Sequence, residues 1–565
     1  MMGKQISLKY WLCWLAAPLL LFLPLLFIPH VMFFGNSDAL FYSNILAMVS
    51  NSLKSGVLFP RWLPEANAGF GSPVMMFYAP LSYIVTVLIN LPFASHIGIG
   101  VQLIVGMYAS QVVSGYTCYL WLRRSFSDDI AFVGSMLFVL LPYKLIYIYL
   151  HINLAQLWAL ALLPLWMMAA QDIVSGSRRA MGAYALALAG VYYMHPLTLI
   201  AFGVVPAAYV LWFGRHNLLR SLLWLGIAHV LGLGMCMMQI LPAHFYMPWI
   251  HSDLFLKGNY FWQNNFYHVD VVLCAYYGMI ALVVGAAIRC VPSLKGSAVA
   301  YQGIFWIIVL CIVLFLTQQP SDFVWQMIKP LQYLQFPAAR LHAAALMGVT
   351  YLICIWLSSY HEMKPLGDLV SRRATLVLLI IIFAVATGWR VYQVESDPTH
   401  ASDSYLGDAR AAKIISTPVP VYETSWGCID AGHAYDLYEH RQVPLPITVV
   451  SGNAKLISSV WSPPDRIALN VDVKSCGAKL SVRQCYVPLW KAHEATGEDI
   501  AVFPGKANGL TELVLMQGRH EVELILDSPR EEKLGRITAF IALIMSMILV
   551  GSGIRGPKRN LTTGA

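Results

Sequence analysis

The sequence predicts a polytopic α-helical membrane protein of about 12–13 spans, with one small β-domain placed before the last of them. Three observations carry that prediction. The chain is 58% hydrophobic and 12% charged, with a mean hydropathy of +0.62, whereas soluble domains carry about 25% charged residues. Apolar runs of spanning length recur from one end to the other. A single long polar stretch alternates polar and apolar residues in the manner of strands. The net charge of +8 falls largely in short Lys/Arg clusters between apolar runs. That placement marks cytoplasmic loops and argues against a nucleic-acid partner.

Runs near the 17–25 residues that cross a bilayer lie near 11–34, 98–121, 130–149, 154–174, 180–195, 196–213, 221–243, 271–289, 301–317, 338–358, 374–392 and 536–554. The first is too long for a signal-peptide core and lacks a small-residue cleavage site, so it reads as a retained span. The stretch 79–95 is shorter and contains Pro80 and Pro92. If it makes no net crossing, the clusters Lys4/Lys9, Arg123/Arg124, Arg178/Arg179, Arg215/Arg220, Arg289/Lys295, Lys364/Arg372/Arg373 and Arg555/Lys558/Arg559 all fall on the cytoplasmic side. It is therefore expected to be re-entrant or surface-lying. On this topology the loop 35–78, the turn His151–Gln156, His195, the loops 244–270 and 318–336, and the segment 393–535 collect on the outer face.

The chain thus divides into a multispanning region, 1–392, an extracytoplasmic β-rich domain, 393–535, and a final helix with a cytoplasmic tail, 536–565. Within the β-domain, RIALNVDV, AKLSVRQCYV, TELVLMQ and HEVELIL read as four strands separated by turn residues. Of the ten cysteines, Cys428, Cys476 and Cys485 fall in the polar region. Cys476 and Cys485 either close a small disulfide loop, if that region faces an oxidising compartment, or remain thiols. The rest sit in apolar runs as inert core residues.

The loop 35–78 holds the most chemistry. Asp38 stands where the first span ends, and Phe41, Ile45, Met48 and Val49 follow at near-helical spacing. Asp38 is either the cap of an amphipathic surface helix or a base or metal ligand at the membrane surface. Behind it, LFPRWLPEANAGFGSPVMMFYAPLSY sets Arg61 and Glu65 among Trp62, Phe70, Phe77 and Tyr78. Aromatics at this depth suit a sugar face or a lipid headgroup. The Arg61 guanidinium fits a phosphate by its forked donors, or a surface ion pair with Glu65 or anionic lipid.

This string resembles the first periplasmic loop of the GT-C superfamily of membrane glycosyltransferases, in its YfhO-like branch. The pattern is an acidic residue after the first span, then G-x-L-x-P-R-W-x-P, G-x-G-x-P and F-Y-x-P-L-x-Y. The chain supplies Asp38, Gly56, Leu58, Pro60-Arg61-Trp62, Pro64, Gly69, Gly71, Pro73, Phe77-Tyr78 and Pro80-Leu81. Leu141-Pro142-Tyr143, Met194-His195-Pro196, Gln335-Phe336-Pro337 with Arg340, and YVPLWKA…GL…GRHEVEL resemble further family pieces, in order. Departures are equally specific. Asn36-Ser37-Asp38 replaces Gly-Asp, His151 and Gln156 replace an expected Arg and Glu, and Ala338-Ala339 replace a Trp. No D-x-D pair occurs, so a divalent metal stays open and the cofactor unknown.

The resemblance implies an inverting glycosyltransferase of a bacterial inner membrane with a periplasmic active face. Its donor would be a sugar on polyprenyl phosphate and its acceptor an extracytoplasmic glycan, lipid or protein, with membrane lipid around both. Asp38 would be the catalytic base. Arg61, Lys257, Lys329 and Arg340 are candidate partners of the departing phosphate, Arg340 foremost because it opens an apolar span. Glu65, Trp62, Tyr78, His151, Gln156, His195 and Glu423 are candidate substrate contacts, each with a plain structural alternative. A transporter or flippase for a lipid-linked glycan is the rival from another class, expected to show broken helices at the midplane. An acyltransferase built around His195 would need a second catalytic partner, and the sequence nominates none.

Overall fold

A computed structural model describes residues 8–23, 39–258, 261–266, 271–290, 297–362, 446–462 and 465–552. Asp38, Glu423 and the expected span 374–392 lie outside the described residues. The helices are α1 (Leu8–Ala16), α2 (Ala39–Lys54), α3 (Leu81–Asn90), α4 (Ile99–Leu122), α5 (Asp128–Leu140), α6 (Leu154–Val174), α7 (Arg179–Met194), α8 (Pro196–Phe202), α9 (Val204–Phe213), α10 (Leu218–Tyr246), α11 (Val271–Cys290), α12 (Ala298–Leu316), α13 (Pro337–Glu362) and α14 (Arg530–Gly551). Shorter helical turns join them.

Among the described residues six helical segments are long and apolar enough to cross a bilayer, or seven if α5 and the bent segment Tyr143–Tyr149 count as one. The expected 12–13 is not reached there, for three reasons. The run 374–392 and part of 11–34 lie outside the described residues. Some runs end short: α7 has 16 residues, about 24 Å at 1.5 Å per residue, against a hydrocarbon core of about 30 Å. Others carry too much polar surface. α4 buries Gln102, Ser110, Gln111, Ser114 and Thr117 against its neighbours. α3 has 10 residues, too few to cross alone, in keeping with a re-entrant reading of 79–95. The outward faces of the long helices are apolar, with Leu222, Leu223, Val230, Ile312, Phe315, Phe540, Ile541 and Ile548 all exposed. A band of this kind is intolerable in water and ordinary against lipid.

The C-terminal unit is a seven-stranded, wholly antiparallel sheet of β1 (Ile447–Ser451), β2 (Ala454–Ser462), β3 (Arg466–Cys485), β4 (Trp490–Glu494), β5 (Asp499–Ile500), β6 (Val502–Pro504) and β7 (Leu510–Leu526), in the order β1-β3-β7-β4-β5, with β2 on β3 and β6 on β7. The four expected strands are two. β3 (Arg466–Cys485) contains the first pair and β7 (Leu510–Leu526) the second. The ladder between them shifts register at Val473/Gly477, so a bulge bends each long strand without ending it. Alternation decides the inner face: Ile467, Leu469, Val471 and Val473 from β3 meet Val522, Leu524 and Leu526 from β7 in one core. Only three residues separate the end of β7 at Leu526 from the start of α14 at Arg530.

Candidate functional site

The segment 57–80 packs against the sheet. Leu63 and Ser72 pair as an isolated antiparallel bridge, closing a loop around the short helix Ala66–Gly69. Trp62, Phe70 and Met76 belong to the same buried cluster as the strand side chains. The Trp62 indole donates to Gln484 Oε1 at 2.5 Å, the Gln484 amide donates to the Gly69 carbonyl at 2.8 Å, and the Cys485 N–H donates to the Phe70 carbonyl at 2.6 Å. Gly71 has φ +82°, and a Cβ there would stand 2.5 Å from both Gln484 Oε1 and the Trp62 ring. That contact, with the positive φ, admits only glycine. The G-F-G-S-P run therefore serves as a socket for the sheet.

Arg61 completes the socket. Its Nη1 donates to both Glu532 oxygens at 2.8 and 2.7 Å and to the Asp527 carbonyl at 2.8 Å, while Nη2 donates to the Leu526 carbonyl at 2.8 Å. Asp465 approaches the same guanidinium at 3.9 Å. The expected alternatives were a phosphate, Glu65 or anionic lipid, and these donors are engaged by Glu532 and strand carbonyls instead. Trp62 is likewise fully buried rather than presented to a ligand. Glu65 receives a 3.5 Å contact from Asn51, its Oε2 is buried without a partner, and burial pushes its carboxyl above the usual range.

A second constellation forms where α6, α8 and α13 begin. Arg340 Nη1 lies 2.9 Å from Gln156 Oε1 and 3.1 Å from His195 Nε2, and its guanidinium lies over the Phe336 ring at 5.7 Å. Gln156 donates to Tyr147 Oη at 3.3 Å and to the Ala339 carbonyl at 3.1 Å, and Tyr147 donates to that carbonyl at 2.6 Å. Asn153 caps α6 by accepting from the Gln156 N–H at 2.9 Å, and its amide donates to Gln156 Oε1 at 3.1 Å. Asn153 Oδ1 also accepts from Tyr42 at 2.8 Å, and the Tyr42 and Tyr78 hydroxyls meet at 3.1 Å. The Tyr78 ring lies edge-on to His195, 6.5 Å between centroids. Apart from Arg340, Tyr78 and Phe336, which are half-buried, these side chains are buried.

The backbone around this cluster is unusual. Three non-glycine residues among those described have positive φ, and two of them flank it: Ile152 at 44°, just before the cap, and Gln335 at 62°, five positions before Arg340. A β-branched residue in that region is a strained placement that its surroundings must enforce, and such strain gathers at functional sites. Tyr147 lies in a π-helical turn, Ile146–Leu150, another feature frequent at such sites. The strong α6 and α13 helices also aim their positive ends at the same point.

His195 has a proton-placement conflict. Its Nδ1 accepts from the Thr198 N–H at 3.2 Å as the cap of α8, and lies 2.8 Å from Thr198 Oγ1. A neutral ring accepting at Nδ1 carries its proton on Nε2, facing the Arg340 donor. Two donors aimed together are reconciled by a shared anionic acceptor. The other placement puts the proton on Nδ1, donated to Thr198 Oγ1, and lets Nε2 accept from Arg340 at the expense of the helix cap.

The cluster thus gathers Tyr78, Gln156, His195 and Arg340 from the expected residues, with His151 alongside at 6.4 Å from the Tyr147 ring. It does not gather Arg61, Trp62 or Glu65. Lys257 pairs with Asp253 at 2.6 Å on the surface, which holds the Asp253 carboxyl below its usual range. Lys329 opens a four-residue helix on an exposed turn. No contact among the described residues joins either lysine to Arg340. Sequence reasoning missed Tyr42, Tyr147, Asn153 and Thr198. Asn153 had a legible signal, since Asn three residues before Gln at a helix start is a capping pattern.

Among the described residues no group of three His, Cys, Asp or Glu is arranged to hold a metal ion. Of the two alternatives for Cys476 and Cys485, the bridge between them is not formed: Cys476 is a free, exposed thiol and Cys485 is disulfide-bonded. Comparison with known protein families and with curated proteins finds no match to this chain.

Proposed function

We propose that this protein is a membrane glycosyltransferase of GT-C type that moves a sugar from polyprenyl phosphate to an extracytoplasmic acceptor with inversion. The observation that carries the reading is the donor-rich cluster of Arg340, His195 and Gln156 at the converging starts of three apolar helices. Phosphate is the acceptor such a cluster suits. Guanidinium and imidazole N–H groups, backed by helix N-termini, stabilise charge as it develops on a leaving oxygen. Asp38 removes the proton of the acceptor hydroxyl. That oxygen attacks the anomeric carbon, and the bond from this carbon to the phosphate oxygen breaks, leaving the charge on the lipid phosphate. Asp38 immediately precedes α2, whose first turn sends Tyr42 into the cluster.

An outer location for the β-domain, on a bacterial inner membrane, is part of the same proposal. The disulfide at Cys485 supports it, because such bonds persist in oxidising compartments. The test is transfer by the purified full-length protein in proteoliposomes with a panel of polyprenyl-phosphate sugars. Asp38→Asn abolishes transfer and Arg340→Gln reduces it about a hundredfold, the scale of one lost transition-state donor. Unchanged transfer in the Asp38→Asn protein overturns the base assignment.

One observation favours the transporter reading. The span made by α5 and Tyr143–Tyr149 bends by 43° at Leu141-Pro142. Lys144 beside the bend is fully buried, with its Nζ over the Phe138 ring at 4.7 Å and no hydrogen-bond partner. Broken helices and buried charges mark transport paths. Movement of an intact lipid-linked sugar across the vesicle, with no sugar transferred, selects that reading.

A further inference from the structure

A shallow recess, partly open to solvent, lies where the socket segment, α10 and α14 meet, lined by none of the residues of the Arg340 cluster. Its apolar wall is Met75, Met76 and Met238. Its polar lining is Arg61, Glu532, Arg536 and Gln239. These polar groups are unequally satisfied. Glu532 is taken by Arg61 and by the Tyr246 hydroxyl at 3.2 Å. Arg536 touches Glu532 through Nη2 alone, at 3.4 Å, and its side chain is 52% exposed. No other partner of its guanidinium occurs among the described residues. Gln239 is only 2% exposed, yet both amide atoms lack a hydrogen-bond partner.

An amide buried without partners carries a desolvation penalty, which a ligand that reaches it removes. Pro242 lines the recess beside that amide and has no N–H to give the Met238 carbonyl its ordinary α-helical partner. The opening cannot close by bringing the helices nearer. α10 and α14 already touch backbone to backbone, since a Cβ on Gly535 would stand 2.5 Å from the Met237 carbonyl oxygen. The recess sits at the first turns of α14, whose lower turns are apolar and exposed. That is headgroup depth for a spanning helix, where a bound molecule lays a charged end on Arg536 and an apolar end along lipid-facing surface.

We propose that this recess binds the phosphodiester headgroup of an anionic phospholipid. Its phosphate accepts from Arg536 and from the Gln239 amide N–H, a headgroup hydroxyl donates to Gln239 Oε1 or the Met238 carbonyl, and an acyl chain lies beside the methionines. The ligand chemistry follows from the lining: a half-exposed arginine held, among the described residues, only by a 3.4 Å contact to Glu532, a buried amide whose donor and acceptor both lack partners, and an apolar wall. Bound there, the lipid braces the joint between the β-domain and the last span.

The test is native mass spectrometry of the full-length protein released from nanodiscs of equal parts phosphatidylglycerol and phosphatidylcholine, with inorganic phosphate as a separate probe. The wild-type protein retains phosphatidylglycerol selectively. Arg536→Gln lowers that retention about tenfold, the scale of one charge-assisted contact. Gln239→Leu also lowers it, and it raises thermal stability in lipid-free detergent because the orphaned amide is gone. Arg519→Gln, an exposed change on the sheet, leaves retention unchanged. Equal retention of the two lipids by the wild-type protein overturns the proposal, as does retention lost in Arg340→Gln but kept in Arg536→Gln. Displacement of the lipid by inorganic phosphate at millimolar concentration identifies a phosphate site with no lipid specificity and overturns it too.

Discussion

Replacing Arg61 separates a ligand-binding arginine from one that holds two parts of the fold together. Arg61→Met keeps the length and apolar stem of the side chain and removes the guanidinium. It leaves Glu532, whose side chain is 3% exposed, without its strongest partner, and frees the Leu526 and Asp527 carbonyls. Removing one partner of a buried ion pair typically costs about 3–5 kcal/mol. Tyr246 and Arg536 still reach the carboxylate, which places this case at the low end. The two carbonyls regain water at a strand end, adding about 1 kcal/mol. The expected loss is about 4 kcal/mol, confined to docking of the sheet on the socket. In the double variant Arg61→Met/Glu532→Leu no charge is stranded, so about half of that loss returns. The assay is hydrogen exchange of the β7 amides in the detergent-purified protein, which reads local opening free energy. A single variant within about 1 kcal/mol of wild type refutes the clamp. So does a double variant no better than the single. If stability survives while sugar transfer fails, Arg61 returns to the phosphate.

Three further outcomes follow from the same geometry. Gly71→Ala loosens the sheet by about 2–4 kcal/mol, since it combines a positive φ with a clash on Trp62 and Gln484; protease nicking between 486 and 510 reads it. Glu65→Gln raises the melting temperature at pH 8 but not at pH 4. Because the folded carboxyl sits above its ordinary range through burial, the folded state holds the proton more tightly. Stability is fully present below the unfolded pKa and is lost as pH rises through the folded one. A gain that is the same at both pH values refutes that cause. Cys476, exposed and free, takes a membrane-impermeant maleimide in intact cells without reductant. Labelling only after the membrane is opened places the β-domain inside and sinks the outer-face assignment.

How far each part could be read in the sequence depends on whether its determinants are local. The apolar runs at 154–174 and 301–317 lie on α6 and α12 because hydropathy and length are local properties. The alternation in RIALNVDV and HEVELIL likewise marks the strand character of β3 and β7, but not the bulge that lets each pair of expected strands run on as one. The pairings of the site are not local. Arg61 was weighed against Glu65, four residues away, and its partner is Glu532, 471 positions distant. The same limit applies to Trp62 and Gln484, 422 positions apart. Nothing in the windows around 62 or 484 encodes that the sheet returns to the first loop. Aromatics, prolines and glycines suited to a headgroup suit a protein interface equally well.

The loop's side chains are shared between the sheet and the helices. Trp62, Phe70 and Met76 join the core of the sheet, Leu63, Ala66, Val74 and Met75 join that of the helices, and Tyr78 reaches Tyr42 and the His195 ring. Tightening the socket therefore fixes the position of Tyr78, and the β-domain acts on the cluster by positioning this segment. The cluster in turn is built from groups that cannot all be satisfied alone. If His195 caps α8 through Nδ1, its Nε2–H faces Arg340; if Nε2 accepts from Arg340, the cap is weakened. Buried polar networks are stabilising when complete and costly when one bond is missing. On the proposed reading, an anion that reaches both Nε2–H and the guanidinium completes this one, since both donors then have an acceptor and the cap is kept. Positive φ at Ile152 and Gln335 flanks the network, strain of the kind that gathers at functional sites.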